Sequence, residues 1–132
     1  MDFNTIIKDK FIGLLESKGF KILDDNKNSV TFKSDSLTIK FIFNPFGSEY
    51  NYFINLNKED VEVESNIVES YLNILEEPVF GLKTLDEKSE SWATRMHNYF
   101  VTYKDTLLTG DKKFYSGLKS HLHKVGNDYF KK

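Results

Sequence analysis

Three histidines are the side chains best suited to hold a metal here, and two of them, His121 and His123, are separated by a single leucine. His97 and Asp128 are the further donors a ligand set would draw on. On a helix, however, residues two apart point roughly 200° away from each other and cannot share one ion. Phe114, Tyr115, Leu118, Leu122 and Val125 recur at helical spacing across the same segment, so the pair belongs to a helix. Neither a metal nor any other cofactor is expected.

Covalent catalysis finds little support. The chain has no cysteine, which removes thiol nucleophiles, thiolate ligands and disulfides together. No serine stands in a Gly-x-Ser-x-Gly elbow. Ser34, Ser36, Ser48 and Ser65 fall at caps and turns, where a short hydroxyl serves the backbone. The carboxylate pairs Asp24-Asp25, Glu59-Asp60 and Glu76-Glu77 lie in loops or at helix ends, where water solvates them. The glycines stand singly and form no phosphate-cradling loop. These residues read as a protein that is not an enzyme.

Charge points instead to a protein partner. The net charge is −2, but residues 61–90 carry two basic and eight acidic side chains, while 111–132 carry six basic and two acidic. Glu62, Glu64, Glu69, Glu76 and Glu77 in the acidic stretch are the residues placed to meet a basic protein by long-range attraction. The plainer reading is two solvated helix faces. The basic tail is all lysine, and Arg95 is the chain's single arginine. With a pI near 5.9, that argues against nucleic acid. A second functional reading places a small-molecule or enzymatic pocket between a sheet and helices, lined by Tyr50, Tyr52, Tyr99 and Tyr103 with Arg95 or His97 as an orienting charge.

The elements that would position these residues follow from hydrophobic periodicity. Phe3, Ile6, Ile7, Phe11, Leu14 and Leu15 form one helical face, capped by Asp2 and ended by Gly19, which predicts a helix over 3–18. Phe20 and Ile22, then Val30 and Phe32, alternate with polar neighbours on either side of a loop at Asp24–Asn28. Leu37, Ile39, Phe41 and Phe43 form a period-2 stripe, and after the turn Asn44-Pro45-Phe46-Gly47 so do Tyr50, Tyr52, Ile54 and Leu56. Short polar links between four strands require antiparallel pairing. Ile42 and Phe53 fall on the opposite face of this meander. Coverage by a later helix is the favoured account of them, and a contact surface, including one for self-association, is the other.

Beyond residue 60 the period becomes helical, with Ile67, Val68, Tyr71, Leu72 and Leu75 on one face and Pro78 enforcing a stop. Asn57 or Ser65 would cap that helix, and Val61-Glu62-Val63-Glu64 would alternatively extend the sheet. Thr84 and Glu87 match a capping box, although a start near Ser89 or Ser91 also fits; the stripe from Leu85 to Leu107 runs to Gly110. Asp111 caps a last helix closed by Gly126. The expected fold is therefore α+β: an N-terminal helix, a four-stranded antiparallel meander, then about three C-terminal helices packed on the sheet.

At 132 residues the chain fits a single domain over 1–132, since cores of about 100–150 residues are typical. A domain of this size, 39% hydrophobic and 15% aromatic, needs no metal or disulfide staple. The first ten residues lack a basic start and a long apolar run, so they do not read as a signal peptide. No window approaches the ~18 apolar residues of a membrane span, which makes a cytoplasmic location the expectation and a membrane partner not one.

The layout resembles that of small bacterial immunity proteins, which neutralise a cognate toxin. The likeness rests on the helix ending in Lys18-Gly19-Phe20, the strands Val30-Thr31-Phe32-Lys33 and Leu37-Thr38-Ile39-Lys40-Phe41-Ile42-Phe43, and the acidic segment after them, within about the first 77 residues. It implies a non-catalytic binder that plugs a basic toxin site with acidic and aromatic residues.

Overall fold

The computed structural model describes residues 2–47, 49–74 and 79–130, with only the backbone course for 126–130. Helix α1 spans Phe3–Ser17; Asp2 Oδ1 accepts from the Thr5 N–H at 2.8 Å, and Gly19 at φ 87° ends the helix. Its face of Phe3, Ile6, Ile7, Phe11 and Leu15 is buried, as the spacing requires.

Five strands follow: β1 (Lys21–Asn26), β2 (Ser29–Lys33), β3 (Leu37–Asn44), β4 (Glu49–Leu56) and β5 (Val61–Glu64). They form one antiparallel sheet in chain order. The expected count of four is thus corrected to five. Val61 and Val63 alternate with Glu62 and Glu64, and Val63 is fully buried, so this segment adds an edge to the sheet and does not start a helix. Asp24-Asp25-Asn26, expected as a loop, belongs to β1. Two α1 side chains hold it there: Lys8 Nζ reaches Asp25 Oδ2 at 2.7 Å, and Asn4 Nδ2 donates to Asp25 Oδ1 and to the carbonyls of Asn26 and Ser29. The β1–β2 register shifts between Ile22 and Asp24, leaving Leu23 as an unpaired bulge residue.

The helical part begins with α2, a short helix over Ser65–Tyr71. Leu75 and Pro78, expected within and just beyond this helix, lie outside the described residues. Helix α3 spans Leu85–Thr102, and Thr84 Oγ1 accepts from the Glu87 N–H at 3.1 Å, so the start expected from the capping box is the one observed. It stops short of Gly110. Thr102, Thr106 and Thr109 turn their hydroxyls onto carbonyls three or four residues back, which competes with regular helix, and 103–110 form turns. Helix α4 covers Lys112–Phe130, with Asp111 Oδ2 accepting from the Phe114 N–H at 2.9 Å. It runs through Gly126 and is not closed there; a glycine inside a helix lowers its stability without terminating it.

One face of the sheet and the helices form a shared core. Val30, Phe32, Ile39, Phe41, Phe43, Tyr52, Ile54 and Val63 point from the strands into it. Phe41 meets Phe11 of α1 at 4.5 Å between ring centroids, and Phe100 of α3 packs on Phe11 at 5.4 Å and on Tyr52 at 5.2 Å. Helix α4 docks on α2: the Tyr71 ring lies 5.6 Å from Phe114, and its hydroxyl sits directly on Gly117, where any side chain would overlap it. Among the described residues no helix is long and apolar enough to cross a membrane.

Candidate functional site

The sheet face turned away from the core is built in rows by the strand register. Lys33, Thr38, Asn55 and Glu62 are consecutive cross-strand partners over β2 to β5. Thr31, Lys40, Phe53 and Glu64 form the next row, and Ser29, Ile42 and Asn51 the third. Lys33, Lys40, Glu62 and Glu64 are exposed, and Ile42 and Phe53 are half-buried. Neither of those two apolar side chains belongs to the core cluster or packs against it. Of the later helices, α3 docks along α1 and α4 on α2, while α2 meets β4 and β5 and buries Val68 in the core. The favoured expectation, that a helix would cover Ile42 and Phe53, is therefore overturned, because α1 and α3 both use the other face.

Two of the expected partner-binding residues meet on this face. Glu62 and Glu64 are alternate residues of β5 and so project on the same side. Glu64 Oε1 accepts from Asn51 Nδ2 at 3.0 Å, while Asn51 Oδ1 accepts from the Ser65 hydroxyl and from the Tyr52 N–H. The carboxylate is thereby held in place by the residue that opens α2. Glu69 is not with them: it lies on α2, half-buried, with Oε1 out of solvent. Glu76 and Glu77 lie outside the described residues. Just before the acidic stretch, Glu59 is neutralised within the chain, since Lys119 of α4 bonds both its carboxylate oxygens, at 2.7 and 2.9 Å.

Beside Ile42 the face runs into an open groove of about 610 Å³. Lys27 and Lys40 contribute charge to it, Ile42 apolar surface, and Phe46 of the β3–β4 turn is fully exposed at its side. Nothing in the residue types alone separates Phe46 from a core phenylalanine; its place in the Asn44–Gly47 turn is the signal.

The interior between sheet and helices is filled by rings, which is where the pocket reading placed its ligand. Tyr52 is buried against Phe41 and Phe100. Tyr50 stacks on Phe43 at 4.7 Å and on Trp92 at 5.4 Å, and its hydroxyl meets Ser89 Oγ at 2.8 Å. Arg95 Nε donates to the Ser91 carbonyl at 3.3 Å, and Tyr99 and Tyr103 pack half-buried against the core. His97 rests edge-on against Phe11 at 5.6 Å; burial first, and then the Lys10 ammonium, push its pKa below the ordinary imidazole value.

The other two histidines lie on α4. His121 Nε2 is 3.0 Å from Ser70 Oγ of α2, and its ring lies 5.6 Å from Tyr71. His123 is exposed. Sequence reasoning missed the Ser70–His121 contact, for which no local signal exists across 51 positions. It joins a hydroxyl to an imidazole, yet it sits at the seam between α2 and α4. Among the described residues no three His, Asp or Glu side chains are grouped to hold a metal ion.

No family model matches the chain, and neither the curated proteins nor the solved structures searched contain a match.

Proposed function

We propose that this chain is a non-catalytic protein-binding module whose contact surface is the uncovered face of the sheet. Its partner is a basic protein surface, met by Glu62 and Glu64, with Phe53, Ile42 and the exposed Phe46 supplying apolar contact. The carrying observation is that Glu62 and Glu64 stand side by side, exposed, next to Phe53 on the sheet face turned away from the core. Carboxylates at the margin of such a patch raise the encounter rate with a cationic surface, and aromatic side chains hold it once there. An immunity-type inhibitor of a basic bacterial toxin, working in the cytoplasm, is the particular form that the layout resembles.

The test starts from a partner captured on the immobilised chain from its native host and then purified. Affinity is measured for the wild type and for Glu62→Lys/Glu64→Lys at several salt concentrations. The expected result is a cationic partner, weaker binding by the variant, and a flatter salt dependence, because two attractive charges are gone. A purified partner that binds both proteins equally at every salt concentration would sink the acidic-face reading.

A further inference from the structure

The sheet face turned away from the core carries charge of both signs, and in its Lys33–Thr38–Asn55–Glu62 row the arrangement matches its own reverse. Lys33 and Lys40 stand on β2 and β3, and Glu62 and Glu64 stand on β5, in the same two cross-strand rows. We infer that this face pairs with the same face of a second copy about a two-fold axis parallel to the strands and passing between β3 and β4. Such an axis reverses each row onto itself. Lys33 then meets the second copy's Glu62 and Thr38 meets Asn55, while Glu64 stands over the buried Thr31. In the middle row Lys40 lies over the ring of Phe53, a cation on an aromatic face. Ile42 faces Asn51.

Other axes fail on charge. One running along β3 sets Lys40 on Lys40, and one crossing the strands sets the two glutamates of β5 on each other. Stacked sheets lie ~10 Å apart with strands within about 30° of aligned, a separation that these long side chains bridge. In projection the four strands offer on the order of 300–400 Å². Stable complexes bury about 800 Å² per partner, so the pair is weak and concentration-dependent. The inference stands apart from the basic partner proposed above, and that partner would compete with the second copy for Glu62 and Glu64.

Sedimentation equilibrium from about 10 µM to about 1 mM tests it. The wild type is expected to shift from monomer toward dimer. Lys33→Glu/Lys40→Glu and Glu62→Lys/Glu64→Lys are each expected to lose at least about tenfold in self-association, since each sets like charges opposite one another. Mixed together, the two variants should regain a heterodimer, because the reversed charges at positions 33 and 62 again face their opposites. These positions are solvent-exposed, and far-UV circular dichroism of each variant confirms that the fold is retained. A wild type that stays monomeric at about 1 mM overturns the inference. So does a dimer that is unmoved by both reversals, or a mixture that does not recover.

Discussion

His97 sits beside an aromatic ring and in the field of a cation. Phe11 meets the imidazole in a T-shaped contact, and Lys10, itself paired with Glu90 at 2.7 Å, stands near. Its pKa is lowered on folding, so the unfolded chain takes up the proton first as pH falls. Stability from this group is therefore complete above about pH 6.5 and declines as pH drops toward the lower folded value. Urea midpoints measured from pH 8 to about pH 5 should fall for the wild type, and less for His97→Gln. Asp25 behaves in the opposite chemical sense with the same slope: hydrogen bonds from Lys8, then Asn4, hold its carboxyl below its usual range, so its contribution is lost only in stronger acid. Tyr50 makes a different case, because its hydroxyl is the hydrogen-bond partner of the buried Ser89. Tyr50→Phe should cost about 1–2 kcal/mol in denaturant unfolding, and Tyr50→Phe/Ser89→Ala less than the sum of the two single changes.

At the scale of elements, the seam between α2 and α4 sets two effects against each other. Helix propensity alone predicts that Gly117→Ala gains about 0.5–1 kcal/mol. The Tyr71 hydroxyl occupies the space the new methyl group needs, and forcing a close-packed contact costs about 1–3 kcal/mol. A net loss of stability is expected, and adding Tyr71→Phe should recover part of it by removing the obstructing oxygen. Legibility in the sequence follows the same division between local and distant causes. Helix α1, strands β3 and β4, and the caps at Asp2, Thr84 and Asp111 were readable because period and cap residues lie within one segment. Strand β1 was not, because Asn4 and Lys8 of α1 hold its acidic half extended. Val61–Glu64 fits both a strand and the approach to a helix, and only pairing with β4 decides between them. Glu62 and Glu64 could be placed together once that strand existed. Glu69 could not be separated from them by charge alone.

In the whole molecule, α1, all the strands except the exposed β1, and each of the three later helices contribute to one contiguous buried cluster. Trp92 belongs to it, with ring contacts to Phe3, Phe41 and Tyr50. Unfolding followed by Trp92 fluorescence and by far-UV circular dichroism should then give coincident transitions. A helical signal that melts before the fluorescence would show α2 and α4 opening as a separate unit. The outer strand adds a constraint of its own. All six β1 residues are exposed, and its free edge is interrupted by the Leu23 bulge and flanked by Lys21, Asp24 and Asp25. An unbroken edge would let each molecule prolong the sheet of the next, without limit, into a fibre. The bulge closes that route at β1, and a face-to-face pair about a two-fold axis, were it to form, would end at two.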